Sequence, residues 1–267
     1  MICRNINFIV LGCMIAFSNL IYSQEAERLF KEDYSKIGVV LQPAMLKGAY
    51  VSQNTSPTID FVNTFSPQFG FVYNFAQYKN FNFKTGIIAK GFRPSFDIII
   101  SNEDINAGYD YSAELTQFDL SNQYVLSESI KAEYFYSLSN KLNIVLGAGV
   151  SLDIRTGGGN DMLFVGVNDF NTNEYKRILI IDSNEQQITG STDISLGLNY
   201  KAKFGLIQFE VFNNSQLLSY PKTGIYQFVN LKNNQTKTGV YNVKGNYSGF
   251  SLTFSPKKRW IKKNIKN

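Results

Sequence analysis

The chain has 267 residues, a net charge of +5, and 22 Phe and 16 Tyr but no histidine. The missing imidazole excludes Ser–His and Cys–His catalysis and histidine metal sites. Both cysteines, Cys3 and Cys13, fall within the first two dozen residues, so the rest of the chain has neither disulfide nor thiol chemistry.

That first segment reads as a signal peptide over residues 1–23. Arg4 precedes a mostly apolar run, Phe8–Ile21, and Ile21-Tyr22-Ser23 puts a small residue before Gln24. The run falls short of the roughly 18 residues of a spanning helix and contains Ser18 and Asn19, which argues against a membrane anchor. Val10-Leu11-Gly12-Cys13 resembles a lipoprotein box, an alternative that would lipidate Cys13. Residues 24–267 show no domain boundary and read as one domain.

Glu25–Tyr34 reads as a charged, helical lead-in. Beyond it, apolar and polar side chains alternate with a period of two, the pattern of strands with two different faces. Eight such strands follow in order: Lys36–Leu46, Gln68–Phe75, Phe81–Phe92, one within Tyr124–Tyr136, Leu142–Arg155, Ser191–Lys201, Leu206–Phe212 and Tyr247–Ser255. Pro43 places a strand end or bulge in the first. The fifth is the clearest. Leu142, Ile144, Leu146, Ala148, Val150, Leu152 and Ile154 alternate with Asn143, Gly147, Gly149, Ser151, Asp153 and Arg155. This strand is long for a soluble protein and suits a tilted bilayer crossing.

The connections alternate in length. Val51–Thr64, Arg93–Asn122, Thr156–Ile188 and Asn213–Asn246 are long, whereas Ala76–Asn80, Ser137–Lys141 and Ala202–Gly205 are short. Outer-membrane barrels have this asymmetry of long outer loops and short periplasmic turns. Phe75, Tyr78, Phe81, Phe83, Tyr134, Tyr136, Tyr200 and Phe204 flank the short turns and read as the periplasm-side aromatic girdle. Met162–Val167 with Arg177–Ile181, and Tyr226–Leu231 with Thr238–Val243, are candidate hairpins above the membrane. Either one entering the wall would raise the count to ten.

The expected fold is therefore all-β: an antiparallel transmembrane β-barrel of eight strands. A soluble lipocalin-like barrel, with the apolar face turned inward around a ligand, is the inside-out alternative. In the membrane reading, Lys36, Lys84, Lys90, Lys131, Glu133, Asp153, Arg155, Asp193, Lys201 and Glu210 face inward, because a lipid-facing Lys or Arg at the midplane costs about 2–4 kcal/mol. Side chains just fill an eight-stranded interior, so these groups form either a mutually paired plug or a narrow ion path, as in a small porin. Alternation does not assign the pairs.

Tyr247-Ser248-Gly249-Phe250-Ser251-Leu252-Thr253-Phe254 has the form of a barrel assembly signal: a polar residue, glycine two on, then the spaced hydrophobics Leu252 and Phe254. It sits on the last strand, where insertion machinery would engage an unpaired edge. The chain runs on through a basic periplasmic tail over 255–267, with Lys257, Lys258, Arg259, Lys262, Lys263 and Lys266 around Trp260 and Ile261. This tail suits acidic lipid headgroups or plain solvation.

Gly157-Gly158-Gly159-Asn160-Asp161 and Asp169–Asn173 resemble calcium loops only in their first residues. The first occurs once. The second lacks the following glycine and has Ile180 at its twelfth position. Both read as surface loops, and no metal or cofactor is expected. Outer-membrane acyltransferases, deacylases, phospholipases and omptin-type proteases rely on histidine, and no paired carboxylates stand out for hydrolysis. The sequence therefore reads as a non-enzyme.

Five stretches carry a resemblance: the Ser23-Gln24 signal end, the Ile130–Tyr136 strand, the Ser137–Lys141 turn, Leu146-Gly147-Ala148-Gly149 and the Gly249–Phe254 strand. Together they make the whole mature chain resemble the PorT-like outer-membrane β-barrel proteins of the Bacteroidetes. The resemblance implies an outer-membrane location and an association with type IX secretion. The implied partners are outer-membrane lipids, the barrel-assembly machinery and secretion-complex or surface proteins, with no nucleic acid. A structural or binding role, or one accessory to secretion, is the expectation; a small porin and a soluble ligand carrier are the alternatives.

Overall fold

A computed structural model of the chain describes residues 33–47, 50–51, 58–100, 111–115, 123–156, 161–168, 175–185, 188–217 and 222–258. The strands are β1 (Ile37–Leu46), β2 (Tyr50–Val51), β3 (Thr58–Val62), β4 (Thr64–Tyr78), β5 (Phe81–Phe92), β6 (Ser95–Ile100), β7 (Tyr111–Leu115) and β8 (Gln123–Ser137). They continue as β9 (Leu142–Thr156), β10 (Asp161–Asn168), β11 (Tyr175–Glu185), β12 (Ile188–Lys201), β13 (Gly205–Gln216), β14 (Lys222–Val229), β15 (Thr236–Val243) and β16 (Tyr247–Pro256).

Eight of these close into an antiparallel barrel in the order β1-β16-β13-β12-β9-β8-β5-β4. The first strand closes it. Along β1, Val39 to Leu46 run opposite Phe254 to Tyr247 of β16, and Ile37 to Leu46 run opposite Tyr73 to Thr64 of β4. No barrel strand keeps an open edge, so the ladder satisfies the backbone polar groups as a bilayer requires. Pro43 lies inside β1 rather than at its end. It stands opposite Pro67 of β4, and pairing with β16 lapses at Gln42 and Pro43 while the register on either side is kept. The ladder thus tolerates the missing N–H at one local gap.

Alternation sorts the barrel side chains into two faces. Val39, Leu41, Phe69, Phe71, Leu152, Ile194, Leu196, Val211, Phe250 and Leu252 stand exposed on the outside. Gln68, Asn82, Lys84, Glu133, Asp153, Asn199, Gln208 and Glu210 are buried in the lumen. A lipocalin-like barrel would have the opposite arrangement. A continuous apolar belt with a polar interior is the transmembrane form of the fold.

The four long connections carry a second tier. β10-β11-β14-β15-β2 form one sheet and β3-β6-β7 another. The two expected hairpins are β10–β11 and β14–β15, and neither enters the barrel, so the wall has eight strands. Val51–Thr64 and Arg93–Asn122, expected to lack strands, contain β3, β6 and β7. Thr58-Ile59-Asp60-Phe61-Val62 is only one strand's length and alternates too briefly to stand out, and its pairing with Ser95–Ile99 is a contact between distant segments. Neighbour order in the second tier copies that of the wall below: β10, β11, β14, β15 and β2 follow β9, β12, β13, β16 and β1, and β3, β6 and β7 follow β4, β5 and β8. The wall therefore continues past the barrel and divides twice, above the β8–β9 pair and above the β1–β4 pair.

The inner side of the larger sheet is aromatic. Tyr226, Phe228 and Tyr241 are fully buried, and Gly239 sits directly against the Tyr226 ring. Any side chain at residue 239 would collide with that ring. Gly239→Val should therefore loosen the second tier by about 1–3 kcal/mol, as overpacking does, without touching the barrel. Limited proteolysis should show faster cleavage within 222–243 and an unchanged barrel fragment.

Candidate functional site

The lumen is built in layers from the short-turn end upward. At that end Tyr34, Phe135, Val145 and Leu206 form a buried apolar cluster. Tyr34 is held there by a bridge to Lys257, whose ammonium lies 5.8 Å from the Tyr34 ring, and Lys258 N donates to Asp33 O at 2.9 Å. Asp33 and Tyr34, the part of the lead-in within the described residues, thus lie with Lys257 and Lys258 at the short-turn end of the barrel.

Above this layer lies a line of alternating charges. Glu133 pairs with Lys84, and Lys84 reaches Glu210 at 3.7 Å. Glu210 meets Lys131 at 2.8 Å, and Lys131 meets Asp193 at 3.3 Å. Uncharged partners complete the carboxylates. Asn82 donates to Glu133 Oε2 at 3.0 Å, Gln208 to Glu133 Oε1 at 2.7 Å and Ser195 to Glu210 Oε1 at 2.5 Å. Buried charges persist only when paired and hydrogen-bonded in this way.

Glycine makes room for the line. A Cβ on Gly147 would collide with Lys131 Cε and Ser195 Oγ, and one on Gly197 would lie 2.7 Å from Glu210 Cγ. The Leu146-Gly147-Ala148-Gly149 stretch is therefore the floor over which the Lys131 side chain runs.

Next comes a cavity of about 50 Å³, lined among others by Gln42, Gln68, Lys84, Lys131, Ser251 and Thr253. It has room for a few waters. Gln68 and Thr253 turn polar atoms toward it that hydrogen-bond no protein group.

A second charged layer closes the upper end. Lys90 donates to Asp153 Oδ1 at 3.0 Å, and Ser191 donates to Asp153 Oδ2 at 3.2 Å. Ser151 and Ser191 share a 2.6 Å hydrogen bond, and Asn214 donates to Ser191 at 3.0 Å. Arg155 donates to Thr189 at 3.2 Å and lies 5.0 Å from the Phe92 ring centre. Lys90 lies 5.6 Å from that of Tyr247.

The structure thus places Lys84, Lys131, Glu133, Asp153, Arg155, Asp193 and Glu210 in the lumen, together with Lys90. Lys201 stands half-buried at the turn end of β12, where its N donates to Lys141 O at 2.8 Å, and the line of charges does not include it. Lys36 is not inward: it precedes β1, is exposed, and lies 6.0 Å from the ring of Tyr73 on the outer face. Alternation fails there because the strand has not begun. Of the assembly-signal residues, Tyr247 and Gly249 face the lumen and Leu252 and Phe254 face outward along β16. The uncharged members Asn74, Asn82, Asn199, Gln208, Ser151 and Ser191 share the parity of the lysines and carboxylates, and the inward set expected from the sequence, which held charged residues alone, did not include them.

Among the described residues no group of three or more Cys, Asp or Glu could hold a metal ion. Residues 157–160 and 169–173 of the calcium-like stretches lie outside the described residues, as do the signal peptide and 259–267. The lumen carries Lys84, Lys90, Lys131 and Arg155 against Glu133, Asp153, Asp193 and Glu210. Among these described residues the signs balance, four against four, so they neutralise one another.

No protein-family model and no curated protein matches the chain. Solved structures do. The outer membrane protein OprG from Pseudomonas aeruginosa is similar at 12% identity and a TM-score of 0.41, over 83% of this chain and 97% of that one. The N-terminal β-barrel domain of Pseudomonas aeruginosa OprF is similar at 10% identity and a TM-score of 0.30, over 83% and 98%. The barrel described here rests on its own strand pairing.

Removing the shared carboxylate tests the network. Glu210→Leu leaves Lys84 and Lys131 short of their common partner and should destabilise the barrel by about 3–5 kcal/mol. Asp193→Asn should cost less, because Asp193 is partly exposed and Lys131 keeps Glu210. Urea unfolding in lipid vesicles, followed by tyrosine and tryptophan fluorescence, measures both.

Proposed function

We propose that the chain is an integral outer-membrane protein without enzymatic activity. Its barrel is an anchor, and its second tier of strands presents a binding surface or supports a secretion complex. One observation carries this reading. The luminal charges neutralise one another between an apolar cluster at one end and aromatic side chains at the other, and the cavity between the two charged layers has room for a few waters. A filled interior of this kind suits an anchor better than a conduit. The chain's elaboration lies outside the membrane instead, where all four long connections contribute strands.

Membership of the PorT-like proteins belongs to the same proposal, and with it a role beside type IX secretion. It rests on the strand and turn residues quoted from the sequence. The partners it brings are outer-membrane lipids, the assembly machinery that would read Tyr247–Phe254, and a protein met by the outer sheets.

Three measurements test the reading. After carbonate washing the chain should stay in the membrane pellet; recovery in the soluble periplasm would favour a ligand carrier. Planar bilayers containing the purified chain should show no discrete conductance steps; regular steps would favour a small porin. Deletion of the gene should impair secretion or surface binding, and unaltered secretion and binding would argue against both roles.

A further inference from the structure

Among the described residues, the outer face of the barrel has one charged residue in the midst of its apolar belt. Glu128 sits on β8 with its side chain exposed on the outside. Along its own strand it lies between Leu126 and Ile130. Across the ladders it stands opposite Ile87 of β5 and Leu152 of β9. All four neighbours are exposed and aliphatic. Leu126 and Tyr124 on β8 and Ile154 on β9 extend the belt further toward the outer tier, so Glu128 is enclosed by the belt and not beyond its rim. Every lumen carboxylate has an ion-pair or hydrogen-bond partner, whereas Glu128 has none among the described residues.

Other outward polar groups are satisfied locally. Thr85 donates to Ser129 O at 2.9 Å and Thr192 to Ser215 O at 3.3 Å, while Ser248 donates to Asn213 at 2.6 Å. An ionisable side chain in a lipid-facing position without such a partner marks a functional contact.

Two independent features single out the same flank. The belt is aromatic on β4, β13 and β16, where Phe65, Phe69, Phe71, Phe209 and Phe250 are exposed. On β8, β9 and β12, between the terminal tyrosines, the outward residues other than Glu128 are aliphatic, small or threonine, with Ala132 and Ala148 allowing close approach. The division of the wall into two sheets also falls above β8 and β9, which leaves β7 and β10 as sheet ends on either side of it.

We infer that the β8–β9 flank is the docking face for a membrane-embedded partner polypeptide that presents a lysine or arginine to Glu128. A second copy of this chain does not fit. A two-fold contact centred on Glu128 would set it against its own copy, and for an off-centre contact the described residues supply no cation on the belt at that depth. The cation of a different chain would neutralise the carboxylate away from water, where such a pair is strong.

This inference rests on the outer-membrane reading above, and its test separates the two. A photo-crosslinking residue is placed in the full-length chain at Leu126 or Leu152, with Phe69 on the aromatic flank as control, and the cells are irradiated intact. Adducts to one discrete foreign protein are expected at residues 126 and 152 and not at 69, with the linked peptide carrying a lysine or arginine. The yield should fall about tenfold or more in Glu128→Leu and be kept in Glu128→Asp. Equal yields in Glu128→Leu, adducts only to lipid or only to a second copy, or no protein adduct would overturn the inference. Carbonate-washed membranes from the same cells report on the earlier reading: loss of the chain from the pellet refutes that reading, while retention without a Glu128-dependent adduct refutes only this one.

Discussion

A strand placed in hydrocarbon has no water to satisfy its N–H and C=O groups, so each must find a partner on a neighbouring strand. Everything else in this structure depends on that constraint. It forces β1 to accept both β4 and β16, and it leaves the backbone no open edge within the wall. Closure then gives each strand an inside and an outside, and the period of two divides the residues between them. The exposed Phe and aliphatic side chains and the buried Lys and Glu side chains follow from one geometric fact.

The polar interior has its own constraint. Charges taken out of water must be paired with good geometry and have their remaining hydrogen bonds made. The line Glu133–Lys84–Glu210–Lys131–Asp193 meets this with alternating signs, and the amides and hydroxyls around it take up the remaining bonds. The line needs space as well as charge. Gly147 and Gly197 supply that space by leaving out side chains where Lys131 and Glu210 cross. A wall of larger residues would hold the same backbone and exclude the network.

The barrel was readable because alternation persists over long strands. Phe81–Phe92 was located to the residue, and Leu142–Arg155 ends one residue short of β9. The length asymmetry of the connections supplied the topology. The second tier was less readable for the opposite reason. β3, β6 and β7 have only five or six residues each, too few for a period to declare itself, and β3 pairs with a segment over thirty positions away. In the lumen, parity identified the charged set but not who meets whom. Lys131 meeting Glu210 depends on the stagger between β8 and β13, which are not neighbours in the wall. Lys36 shows the limit of parity, which holds only where the strand itself exists. Glu128 stood in plain view in the alternation, on the apolar side, and only the fold shows that its neighbours are all apolar.

The most direct measurement is the accessibility of spin labels placed one at a time along β9. Labels at residues 146, 148, 150 and 152 should collide readily with lipid-dissolved oxygen and poorly with a water-soluble nickel chelate. A label at residue 151 or 153 should lack that exposure to the lipid phase. A period of two in this sense is what a membrane barrel with a filled polar lumen predicts. The reversed period, with residues 146, 148, 150 and 152 shielded from lipid and 151 and 153 open to the aqueous reagent, would contradict it and turn the apolar face inward around a ligand.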